Sequence, residues 1–167
     1  MMLSPETQAK IRAEVGRYPE RRTALLPALK LAQSELGYLP PAAVAEVADL
    51  VGVPHAAAAQ LATFYSMLFT EPQGRARVEV CVQLPCALRG AERLLRRLSE
   101  ELGVRPGETT PDGGVTLVRT VECFGACHRA PMCRVNEEYW EHLDDEERLR
   151  RLLEALQQRR RSDGEAA

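Results

Sequence analysis

The five cysteines fall in two groups. The segment "CVQLPC" carries Cys81 and Cys86 with four residues between them, and "VECFGACHRAPMC" carries Cys123, Cys127 and Cys133, the first two with three residues between. Thiolates grouped in this way can ligate a structural zinc, cycle as a redox dithiol, or hold iron and sulfide. Zinc knuckles mostly separate their paired cysteines by two residues, whereas these spacings are wider and unlike each other. A redox dithiol favours two intervening residues at a helix start, which neither pair has. A [2Fe–2S] rhomb takes two thiolates on each of two irons, so wider loops suit it better. Spacing alone ranks the cluster first and leaves the other two open.

The elements that must position these thiols read as follows. Residues 4 to 70 form helices in series. Ser4 and Pro5 look like an N-cap and first-turn proline, with Ile11 and Val15 on one face. "TALLPALKLAQSELG" sets Leu25, Leu29, Ala32 and Leu36 at helical spacing, with Pro27 in the first turn and Gly37 as the C-terminal cap. "PAAVAEVADLVG" predicts a third helix and "PHAAAAQLATFYSMLF" a fourth. The Pro and Gly of "TEPQG" then mark a domain boundary.

Beyond it the periodicity changes. "RARVEVC" alternates Ala76, Val78 and Val80 against Arg77 and Glu79, as a strand with two unlike faces would. "ALRGAERLLRRLSEELG" is amphipathic, with Leu88, Ala91, Leu94, Leu95, Leu98 and Leu102 on one side. "TTPDGG" is a turn and "VTLVRTV" a strand; "PMCRV" and "YWEHL" flank a tight turn. A last helix follows in "DDEERLRRLLEALQQ", with Asp144 as N-cap and Glu147 three residues on. The order β-α-β-β-β-α predicts a βαβ crossover followed by a hairpin and helix, the thioredoxin-like arrangement. The expected organisation is a helical domain over 1–72, an α/β domain over 73–158 and a flexible tail over 159–167. If the strands ending near Cys81 and Cys123 are the parallel members of the βαβ unit, both cysteine pairs lie at the same edge of the sheet.

Composition narrows the function. The net charge is −2 in 167 residues, and Lys10 and Lys30 are the only lysines, so no global pull toward nucleic acid is implied. "VAEVADLVGVPHAAAAQLATFY" has the outline of a helix-turn-helix, but residues 41–74 contain no lysine or arginine to meet phosphates. It reads as a packing unit of short helices, and no nucleic-acid partner is expected. "MMLSPETQAK" lacks the apolar run of a signal peptide, and no stretch reaches the ~18 apolar residues of a membrane span. The expectation is a cytoplasmic chain without direct membrane insertion. In a reducing compartment, paired cysteines are more often ligands than disulfides.

Other single residues read more simply. His55 and His142 are surface or capping residues, and no Ser-His-Asp set or phosphate loop stands out. Gly125 in "CFGAC" lets the loop turn with positive φ and brings amides toward sulfur. Arg89 and Arg129 are close enough in sequence to raise a cluster's potential, or else face water. His128 is a solvent-facing histidine or a hydrogen-bond donor to the site. Cys133, beside Met132 in an expected strand, reads as a small buried hydrophobe, with a regulatory thiol as the alternative.

The texts "ATFYSMLFTEPQGRARVEVCVQLPCALRG", "GETTPDGGVTLVRTVECFGACHRAPM" and "VNEEYWEHL" together resemble the thioredoxin-like [2Fe–2S] subunit of respiratory complex I and of related NAD-dependent formate dehydrogenases and hydrogenases. The resemblance covers nearly the whole chain. It implies a thioredoxin-like [2Fe–2S] ferredoxin domain behind a helical bundle, with Cys81 and Cys86 on one iron and Cys123 and Cys127 on the other. It implies an electron-carrying subunit with no substrate site of its own, which exchanges single electrons with FMN on an NADH-binding flavoprotein partner. Such a chain would be a peripheral part of a larger complex on the cytoplasmic face of a membrane. Cys133 departs from the apolar residue expected there. The charge-poor surface around "ATFYSMLF" is then a candidate for docking the flavoprotein or for packing on the α/β domain. A zinc-stabilised interaction module is the alternative of a different class.

Overall fold

Capping chemistry sets out the first helices where their spacing predicts. The computed structural model describes residues 1–120 and 122–160 in full and the backbone of residue 161. The chain divides into two compact units, Met1–Pro72 and Gln73–Ala167.

In the first unit α1 spans Pro5–Val15, and the Ser4 hydroxyl accepts the Thr7 N–H. Such a cap is worth about 1 kcal/mol. Glu35 accepts both the backbone N–H and the hydroxyl of Ser4, tying that start to the end of α2, Leu25–Leu36. Gly37 closes α2 in the left-handed conformation. Helix α3 spans Pro41–Val51 and α4 His55–Phe64. Ile11, Leu25, Leu29, Leu39, Val47 and Val51 are fully buried at their centre.

The fourth helix is shorter than the apolar run suggests, stopping at Phe64 rather than continuing to Phe69. Gln33 on α2 is the reason. Its amide donates to the Met67 carbonyl at 2.9 Å and accepts from the Phe69 N–H at 2.6 Å, while Leu39 N–H donates to the Phe69 carbonyl. Backbone groups engaged with a distant helix cannot serve the α4 ladder.

The second unit is built on a sheet of order β2-β1-β3-β4 among the described residues. Strand β1 is Ala76–Cys81, β2 Val115–Thr120, β3 Cys133–Val135 and β4 Glu138–Trp140. The first two pair in parallel from Ala76 opposite Val115 to Cys81 opposite Thr120. β3 runs antiparallel to β1, and β4 to β3. Asn136 turns the β3–β4 hairpin at φ 53. The crossover from β1 to β2 holds α5, Leu84–Leu88, and α6, Ala91–Leu102. Val78, Val80, Leu117 and Val135 join Leu94, Leu98, Leu152 and Leu156 in one buried cluster.

Four expectations change here. Gly90, at φ 95, divides the crossover into two helices, so Leu88 leaves the apolar face of α6 and is 80% exposed. Glu79, on the charged one of the two unlike faces expected for β1, is only 4% exposed, because guanidinium groups from two strands close over it. The last helix, α7, spans Glu146–Arg161, and its cap is Asp145, which accepts the Arg148 N–H; Asp144 is paired with Arg89 instead. Residues 159–161 belong to α7 rather than to a tail. Arg159 pairs with Glu138, Arg160 with Asp112, and Arg75 donates to the Arg160 carbonyl, which together hold the last turn. Residues 162–167 of the expected tail, and Val121 of the expected second strand, lie outside the described residues. Among the described residues no helix is long and apolar enough to cross a membrane.

Candidate metal centre

Parallel pairing puts the ends of β1 and β2 side by side, at Cys81 and Thr120. The Val82 N–H still donates to the Thr120 carbonyl, so the pairing continues one residue past Cys81. Gln83 then precedes α5, with Pro85 in its first turn. This turn buries Cys86, and Cys81 is buried as well. Leu84 and Leu88, one helical turn apart on α5, stay exposed at 70% and 80%.

The second pair stands on the loop after β2. Gly125 has φ 73, and its N–H donates to the Cys123 Sγ at 3.4 Å. No atom lies within 4 Å of where a Cβ would sit on Gly125, so the backbone conformation, not space, calls for glycine. Cys123 Sγ and Cys127 Sγ are 3.9 Å apart, both side chains exposed. Ala126 and Ala130 are buried and seat the far end of the loop in the core.

The thiols sense one another across the two pairs. Burial first, then the hydrogen bond with Cys81 and the charges of Cys81, Cys127 and Cys123, push the Cys86 thiol up to about 12. The Cys127 thiol is also raised, first by its hydrogen bond with Cys123, then by burial and by the charges of Cys123 and Cys81. Mutual repulsion of this kind is what a bound cation relieves. The four expected residues therefore come together as two pairs, one buried and one exposed, at adjoining strand ends. Among the described residues no three Cys, His, Asp or Glu side chains converge on a point that would hold a single ion.

Cys133 is not among them. It is opposite Val80 in β3 and fully buried, and burial raises its thiol. Arg89 pairs with Asp144 at 2.8 Å, and Arg129 pairs with Glu141 while its Nε donates to His128 Nε2. His55 contacts Asp49 at 2.8 Å in the first unit, and its side chain is 60% exposed. His142 donates its backbone N–H to the Arg129 carbonyl.

Sequence reasoning missed the buried charges beneath the site. Glu79 Oε2 accepts from Arg134 Nε at 3.0 Å and Nη2 at 2.6 Å, and Arg77 Nε lies 3.3 Å from Glu79 Oε1. Burial pulls the Arg134 guanidinium down, but the hydrogen bonds and charge of Glu79 outweigh it and leave the group raised. No local signal marks this pair, because it exists only in the β1–β3 register.

A donor set of four cysteines with an amide aimed at one sulfur fits a [2Fe–2S] group. Comparison with known proteins agrees. Residues 11–157 match the family model "Thioredoxin-like [2Fe-2S] ferredoxin". A subunit of the NADH-quinone oxidoreductase of Rhizobium meliloti (strain 1021) is 48% identical over 147 residues, covering 88% of this chain and 86% of that protein. The corresponding NADH-quinone oxidoreductase subunit of Mycobacterium bovis is 41% identical over 158 residues; the match covers 91% of this chain but 61% of that longer protein. Among solved structures, a chain of an NAD+-reducing [NiFe]-hydrogenase in the H2-reduced state superimposes with a TM-score of 0.67 at 28% identity, over 80% of this chain and 22% of that one. With the match spanning both units, this chain belongs to the thioredoxin-like [2Fe–2S] ferredoxin family.

Proposed function

We propose that this chain is the electron-transfer subunit of an NADH-quinone oxidoreductase, with one [2Fe–2S] cluster on Cys81, Cys86, Cys123 and Cys127. Its partner is a flavoprotein subunit that carries FMN and binds NAD. The observation that carries this reading is the arrival of two cysteine pairs at adjoining ends of parallel strands, in a chain 48% identical to a subunit of that enzyme.

Bound there, the cluster supplies a centre that gains and loses one electron at a time. Cys81 and Cys86 would hold one iron and Cys123 and Cys127 the other. The wide and unlike spacings within the two pairs suit two irons better than the two-residue knuckles common in zinc modules. The buried pair keeps water from one side. The exposed pair faces outward, where a redox partner can approach. The Gly125 N–H donates to the Cys123 sulfur and would withdraw charge from it when it serves as a ligand. The subunit is peripheral, on the cytoplasmic face of its complex.

The first unit offers a docking surface for the flavoprotein. Phe64 is 79% exposed, with the Tyr65 ring edge-on at 5.3 Å, and Met67 is exposed nearby. The hydrogenase likeness supports a second reading, the same role in an NAD-linked hydrogenase. Anaerobic purification with native partners tests all of this together. Two irons and two sulfides per chain, a paramagnetic signal on reduction and a co-eluting NADH-oxidising flavoprotein are the expected outcome. Iron-free chain, or one zinc per chain, overturns it, and the accompanying subunits decide between quinone reductase and hydrogenase.

A further inference from the structure

A row of side chains crosses the sheet one pleat before Cys81. Glu79 on β1 is opposite Arg134 on β3, and Arg134 is opposite Tyr139 on β4. Cross-strand partners share a face, and so does Cys81, two residues beyond Glu79. Glu79 fixes the Arg134 guanidinium through two hydrogen bonds to one carboxylate oxygen. That guanidinium lies 5.1 Å from the centroid of the Phe124 ring. The Tyr139 ring lies 5.9 Å from the same ring at 31°, and its hydroxyl donates to the Phe124 carbonyl at 3.3 Å.

Phe124 stands between Cys123 and Gly125, so both its side chain and its carbonyl are held by the sheet. The thiols beside it are exposed, and burial alone does not order them. Cys81 and Cys86, by contrast, are set by a strand end and a buried helical turn.

Resting on the ligand assignment above, we propose that Arg134 and Tyr139 are positioning residues. They clamp Phe124 from the sheet, with Glu79 as the buried anchor, and so hold the Cys123–Cys127 loop ready for ligation. The Arg134 charge is answered by Glu79, so the clamp acts through geometry rather than through its field. A lysine keeps the charge but lacks the planar face and the fork that grips Glu79.

The test uses the full chain, loaded with its cluster under anaerobic conditions, and compares wild type with Phe124→Ala, Tyr139→Phe and Arg134→Lys. Two quantities are read: the line width of the paramagnetic signal of the reduced cluster, and the rate of iron loss to a ferrous chelator. Phe124→Ala and Arg134→Lys should broaden the signal and quicken iron loss about tenfold, the lower end of what contacts behind metal ligands contribute. Tyr139→Phe should act in the same direction and less. Should Arg134→Lys fail to fold, the Phe124 and Tyr139 variants decide alone. Line widths and loss rates equal to those of a loaded wild type sink the clamp and leave the ligand assignment standing. A wild-type chain that takes up no iron sinks both.

Discussion

Cys133 and Cys81 leave opposite faces of the same sheet. Cys133 is paired with Val80, the residue before Cys81, and neighbours along a strand point to opposite sides. The fifth cysteine therefore shares a face with Val78 and Val80, while Cys81 leaves the other face, and its charge acts on Cys86 and Cys127.

Cys133→Ala should leave iron and sulfide content unchanged and cost about 1 kcal/mol of stability, the scale of a small group lost from a packed core. Cys123→Ser should abolish or strongly weaken the centre. Iron analysis and the signal of the reduced cluster check both. Normal iron in Cys123→Ser together with loss in Cys133→Ala would reassign the ligands.

The metal-free chain should lose stability as the solution becomes alkaline. Cys86 is raised from an ordinary thiol value of 9.0 to about 12, and Cys133 is raised by its burial. A raised thiol keeps its proton in the folded state while the unfolded chain releases it. Its contribution is fully present below pH 9.0 and declines as pH climbs toward 12. The slope is roughly 1.4 kcal/mol per pH unit for each such thiol. Urea midpoints at pH 8 and pH 10 measure it, and Cys133→Ala should show a shallower decline. A flat profile would contradict the burial of these groups.

Glu79→Gln should destabilise the second unit by about 2–3 kcal/mol, because the partly exposed Arg134 and Arg77 guanidinium groups lose their charged hydrogen-bond acceptor. Chemical denaturation followed at Trp140 reports on that unit. A change below about 1 kcal/mol would show the pair to be solvated, as surface ion pairs are.

Gly125→Ala tests the turn alone. A methyl group there meets open space, so the cost is the strain of φ 73, about 1–2 kcal/mol. The metal-free chain should tolerate it, and the loaded chain should release iron faster. Unchanged iron retention would mean that the loop adjusts freely.

Phe64→Ser should leave the chain's own stability within about 0.5 kcal/mol, since the ring is largely exposed. Association with the flavoprotein should weaken by about 2 kcal/mol if Phe64 anchors that surface. Titration calorimetry with the purified partner measures the difference. Equal affinity would remove the first unit's apolar surface from the interface.

Much of the fold is legible locally. Ser4, Gly37 and Pro41 mark helix ends through contacts that close within a few residues, and the Val78–Val80 alternation marks β1. That the two cysteine pairs follow strands β1 and β2 at the same end of the sheet is legible as well, once those strands are taken as parallel. The early end of α4 was not legible, because Gln33 imposes it from another helix. Nor was the cap of α7, since Asp144 is drawn away to Arg89 and Asp145 takes its place.

Spacing and periodicity by themselves determined which stretches are helical and which extended, their order along the chain and the two groups of thiols, since each depends on neighbours along the chain. Only the tertiary structure decided which face Cys133 occupies, that Glu79 is buried against Arg134, and that Phe124 is gripped by the sheet. Those relationships join residues from separate strands and loops. They exist only after the register of β1, β3 and β4 is set, and a shift of one residue would turn each side chain to the other face.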